Sequence, residues 1–96
     1  MNNEELMARA QRAEKLLLSE EWQDAWALYR AKLFDAIEHA KDDAEALSAR
    51  RMLMAANEAR RELERMIADG AMAADDAHTA RRRNDMERLF GVLPKF

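Results

Sequence analysis

Apolar residues recur at helical spacing along most of this chain. Between Glu4 and Leu18 they fall at Leu6, Ala10, Ala13 and Leu17, intervals of four, three and four that mark one helical face. A second stripe runs through Trp22, Trp26, Tyr29, Leu33, Ala36/Ile37 and Ala40. It is out of phase with the first, because Leu17 and Trp22 are five residues apart. Ser19 lies at the junction as an N-cap-type residue, and Glu20 and Glu21 after it suit the positive end of a helix. The pattern therefore predicts a kink or short break at Ser19. A third stripe carries Ala46, Ala49, Met52/Leu53, Ala56, Ala59, Leu63 and Met66/Ile67. Asp42 with Glu45 reads as the capping box that opens it, and Asp69-Gly70 as its end, with glycine in a left-handed C′ position. The expected helices are about 4–18, 20–40 and 43–69.

The turn at Lys41-Asp42-Asp43 is short, so the long helices on either side are expected to be antiparallel neighbours. Folding about Asp42 sets Ile37 against Ala49, Leu33 against Met52/Leu53, Tyr29 against Ala56, Trp26 against Ala59 and Trp22 against Leu63. Bulky side chains then meet alanines, and Ala56→Leu is expected to overpack the seam by roughly 1–3 kcal/mol. Trp22 and Trp26 are too large for two helices to cover alone. The first segment, the C-terminal tail or a second copy must help, so Trp22, Trp26, Tyr29, Leu33, Ala56, Ala59 and Leu63 form the candidate core and oligomer face.

Past Gly70 the stripe weakens. Arg81-Arg82-Arg83 is a basic run and a candidate DNA contact. Asn84 and Glu87 suggest a second capping box and a short helix with Met86, Leu89 and Phe90. Leu89, Phe90, Val92, Leu93 and Phe96 make an apolar segment suited to docking on a partner. The expected organisation is a helical hairpin domain over 1–70 and a flexible arm with a docking tail over 71–96.

Composition narrows the class. Among the 96 residues there are two Gly, one Pro and no Cys, and β-branched residues are scarce, so the fold class is all-α. No thiolate site or disulfide is possible. The polar, acidic opening Met1-Asn2-Asn3-Glu4-Glu5 does not resemble a signal peptide, and no apolar run nears the roughly 20 residues that span a bilayer. A cytoplasmic protein without membrane contact is expected. The net charge of −3 argues against a dedicated nucleic-acid binder.

No catalytic constellation emerges. His39 and His78 lack the further ligands a zinc site needs. The pairs Glu4/Glu5, Glu20/Glu21, Asp42/Asp43 and Asp75/Asp76 are adjacent in sequence and cannot converge on one helical face; helix-start electrostatics accounts for them. The remaining arginines, Arg50/Arg51 and Arg60/Arg61/Arg65, read as a solvated face paired with Glu58, Glu62 and Glu64. No enzyme activity, metal or cofactor is expected.

The run Ala13-x-x-Leu16-Leu17, Ser19-x-x-Trp22-x-x-Ala25-Trp26, Leu33-x-x-Ala36, the Asp42/Asp43 turn and Leu63-Glu64-x-x-Ile67-x-x-Gly70-x-x-Ala73 resembles small helical proteins of phage and prophage head modules. Some of these are similar to terminase small subunits, including those of gene-transfer agents. The resemblance implies a homo-oligomer that recruits a large ATPase–nuclease subunit to DNA in the host cytoplasm. No helix-turn-helix precedes Ser19, so sequence-specific DNA reading is not expected. Two other roles fit the same residues. One is a small inhibitor of the anti-defence or antitoxin kind, and the other is a structural head or connector protein.

Overall fold

The computed structural model describes residues 1–90. It is all-helical, with α1 at Asn3–Leu18, α2 at Glu20–Glu38 and α3 at Asp43–Phe90. Among the described residues no helix is long and apolar enough to cross a membrane. Each helix start is fixed by a side chain near the place the pattern marks. The Glu5 amide donates to Asn2 Oδ1 at 2.8 Å, opening α1. Ser19 ends one helix and starts the next. Its amide and hydroxyl both donate to the Leu16 carbonyl, at 3.1 and 2.7 Å, while its Oγ accepts from the Trp22 amide at 3.2 Å. A single extended residue (φ −70°, ψ 143°) thus satisfies groups from both helix ends. The expected break is a change of helix axis without a loop.

α2 ends at Glu38, with His39 as its C-cap. The Glu45 amide then donates to Asp42 Oδ1 at 2.8 Å, and Glu45 Oε2 accepts from the Lys41 amide at 3.4 Å. This is the predicted capping box with its return bond displaced by one residue.

The expected end at Gly70 is corrected by the structure. α3 passes through Gly70 without interruption and continues to Phe90, so the arm after Gly70 and the separate short helix at Asn84 are one continuous helix. Glycine inside a helix costs about 1 kcal/mol relative to alanine, and here its use is a close approach. A Cβ on Gly70 would lie 2.1 Å from Ala10 Cβ and 3.2 Å from the Leu6 carbonyl oxygen. The sequence cue was therefore a helix-crossing glycine and not a cap.

Around that point α1 lies against α3. Ala13 and Ala73 are buried there, and Arg9 Nη2 is 3.6 Å from Asp69 Oδ2. α2 meets α3 nearer the turn, where Leu33 and Ala49 are buried. Among the described residues these four are the buried hydrophobic ones, and no polar residue is buried. The molecule is correspondingly long, measuring 74 × 30 × 17 Å with a radius of gyration of 22.1 Å. A compact domain of about 100 residues has a radius near 13 Å. At 1.5 Å per residue α3 alone spans about 72 Å, and α1 with α2 only about 53 Å. The far end of α3 therefore extends past the helices that pack on it, and every residue from His78 to Leu89 is exposed.

A candidate interaction groove between α2 and α3

The α2 sequence places an aromatic or a cation every fourth residue: Trp22, Trp26, Arg30, Phe34. Residues at i and i+4 are stacked neighbours on a helix surface, and the side chains form a continuous ladder. The indoles of Trp22 and Trp26 are stacked, with centroids 5.8 Å apart and planes 14° apart. The Arg30 guanidinium lies 5.9 Å from the Trp26 ring and 5.5 Å from the Phe34 ring, between the two. Arg60 reaches over from α3 to within 5.5 Å of the same Trp26 ring. Each such contact contributes about 0.5–1 kcal/mol at an exposed site. The stacked indole and the two guanidinium groups hold the half-buried Trp26 ring in place.

Beside the ladder the two helices do not close. Trp22, Ala25, Trp26 and Tyr29 of α2 and Ala56 and Ala59 of α3 line a shallow apolar groove of about 300 Å³. The alanines are too short to fill the space next to the aromatics. Tyr29 stays 44% exposed, and the buried Trp26 Nε1 finds no acceptor among the described residues. A buried indole N–H normally has a partner, and this one is both unpaired among the described residues and closed to solvent. Ala56 borders open space here, so a leucine there extends into the groove and does not overpack the seam.

Of the residues singled out from sequence, the structure brings together Trp22, Trp26, Tyr29, Ala56 and Ala59. Leu33 is buried one turn beyond. Leu63, expected opposite Trp22, is half-buried on α3 outside the groove lining. Arg81, Arg82 and Arg83 lie on the extending end of α3, far from the groove, together with the exposed Leu89. Val92, Leu93 and Phe96 fall outside the described residues, as does the side chain of Phe90. Arg30, Phe34 and Arg60 are the participants that sequence reasoning passed over. The four-residue spacing of Trp22, Trp26, Arg30 and Phe34 was the available signal for the first two.

Among the described residues no three His, Asp or Glu side chains gather to hold a metal. Only Glu58 among the described residues has a carboxyl clearly displaced, held below the ordinary carboxylate value by its hydrogen bond from Arg61 and the charge of Arg65. It belongs to a surface ion network with Arg61 and Arg65, each 3.2 Å away, and Glu62, which pairs with Arg65. Such networks serve the helix surface.

Comparison of the chain with protein-family models, curated proteins and solved structures finds no match to any of them.

Proposed function

We propose that this chain is a non-catalytic assembly protein whose unit is a helical hairpin, with α1 and α2 folded back on α3. Copies associate through the groove lined by Trp22, Ala25, Trp26, Tyr29, Ala56 and Ala59. One observation carries the reading, which is how little the single chain buries. It exposes 7985 Å², against about 5,700 Å² for a compact monomer of this mass. The difference, about 2,300 Å², exceeds the roughly 800 Å² that each partner contributes to a standard interface. Covering it returns the chain to the burial that a stable small domain needs. The groove is where a partner gains most. Its lining is almost entirely apolar, and it holds the largest side chains.

Within that class, the specific role is a packaging accessory of the small-terminase kind, a homo-oligomer that engages a large ATPase–nuclease subunit. Its support is the sequence resemblance together with the absence of an assembled catalytic site among the described residues. Static light scattering on the purified chain tests the assembly. More than one copy per particle is expected, and a strict monomer at high concentration would overturn the reading. Ala25→Arg is the matched control. Glu21 lies four residues before it, so the helix gains an ion pair while a charge enters the groove, and the particle mass should fall below that of the parent. Co-expression with a packaging ATPase–nuclease tests the narrower role, since copurification in fixed ratio is expected and its absence opposes it.

A further inference from the structure

A stripe on α3 faces away from the helices that pack on it. Met72, Thr79 and Met86 recur seven residues apart, and Met72 and Met86 are 68% and 48% exposed. At about 100° per residue they share one side of α3. That side is opposite Gly70, Ala73 and Ala74, where α1 lies. Thr79, Arg82, Arg83 and Met86 line a common shallow concavity, so the arginines border the stripe. Asp75 and Asp76 border it at its other end. None of these four charged residues forms an ion pair among the described residues.

The order of these residues is reciprocal about Thr79. Asp76 and Arg82 stand three residues to either side, Asp75 and Arg83 four, Met72 and Met86 seven. A two-fold axis through Thr79 relating two antiparallel α3 helices sets each end of the stripe opposite the other. Met72 meets Met86 of the second copy, and on the two flanks Asp75 lies beside Arg82 and Asp76 beside Arg83. The two-fold makes every one of these contacts twice. A parallel in-register pair would instead set Asp on Asp and Arg on Arg, which repels.

We propose that α3 carries a second self-association face, centred on Thr79, on which the same segment of another copy docks antiparallel. The overlap from Ala68 to Phe90 is about 33 Å long, and α1 of each copy lies on the outer side, clear of the partner. Nucleic acid is the competing occupant, because Arg81–Arg83 could face phosphate. The segment 68–90 weighs against it, holding four arginines but five acidic residues, which leaves no basic excess for phosphate neutralisation. This face is separate from the α2–α3 groove and does not depend on it. Together the two give each chain two isologous contacts, enough to build assemblies larger than a dimer.

The chain has no cysteine, so Thr79→Cys gives a direct test on the full-length protein. Two thiols placed near the two-fold should form a disulfide-linked dimer under mild oxidation at least tenfold faster than Met54→Cys, an exposed control elsewhere on α3. In the Thr79→Cys background, Asp75→Arg with Asp76→Arg makes the face all basic, and Arg82→Glu with Arg83→Glu makes it all acidic. Each should lose the fast cross-link alone, and an equimolar mixture should recover it. Ala25→Arg should leave the cross-link untouched, which separates this face from the groove. Equal rates for Thr79→Cys and Met54→Cys, or no recovery in the mixture, would overturn the proposal. So would loss of short-duplex DNA binding in the all-acidic variant while its cross-linking persists.

Discussion

α3 meets two helices in two different ways. Against α1 it uses the smallest side chains, Gly70 and Ala73 on one side and Ala10 and Ala13 on the other, and the backbones come close enough that no Cβ fits at Gly70. Against α2 it meets the largest side chains in the protein, and the contact stays ajar, with Trp22 and Trp26 half-buried and Tyr29 exposed. The first seam closes backbone on backbone at Gly70. The second carries the aromatics and leaves them partly exposed. Small residues let helices close on each other, while bulky residues opposite alanines leave a shelf that a further element must cover. In the proposed reading, self-association draws on the second seam and folding of the unit on the first.

The largest effect should come from closing off the first seam. Gly70→Ala raises helix propensity, yet it places a methyl on Ala10. A net loss of about 1–3 kcal/mol is expected, read by urea denaturation. Ala10→Gly added to it should recover part of the loss, because the nearest clash is Cβ on Cβ. If Gly70→Ala stabilises the chain, the two seams do not differ as described.

Trp26→Ala should cost less, about 1–2 kcal/mol, despite the size of the side chain, because one side of the ring borders the open groove. Its effect on association should be greater than on the unfolding of the isolated unit. Ala56→Leu should lie within about 0.5 kcal/mol of the parent, since the groove has room for the leucine. It should nevertheless weaken association by filling the site. Comparing denaturation at low concentration with sedimentation at high concentration separates the two effects. The smallest effect belongs to Glu58→Gln on the solvated face of α3. Its carboxyl titrates below the ordinary value when folded, so its slight contribution is complete above that ordinary value. It is lost as pH falls through the folded one. A pH titration of the melting midpoint, wild type against Glu58→Gln, should show the curves converging only at acid pH.

The helices were legible where chemistry is local. Ser19, Asp42 and Glu45 announce helix starts through side chains that reach three residues along the chain, and a sequence displays that spacing directly. The aromatic face was legible too, because Trp22, Trp26 and Tyr29 repeat at helical intervals. Gly70 was misread because a glycine at the end of a stripe and a glycine at a helix crossing look alike until the partner helix is placed. The role of Ala10 was hidden for the same reason. Arg60 could not have been assigned to Trp26 from periodicity, since its local neighbours on α3 offer it acidic partners such as Glu64. Contacts between helices depend on their rotation, which apolar spacing fixes only within a broad arc.

Trp22 and Trp26 are the only tryptophans in the chain, and both lie in the groove. Their fluorescence emission, followed from dilute to concentrated protein, therefore reports directly on whether that groove is what association covers. The account predicts a blue shift that rises with the fraction of associated protein and is absent in Ala25→Arg. An emission maximum that stays fixed while the mass of the particle increases would contradict it.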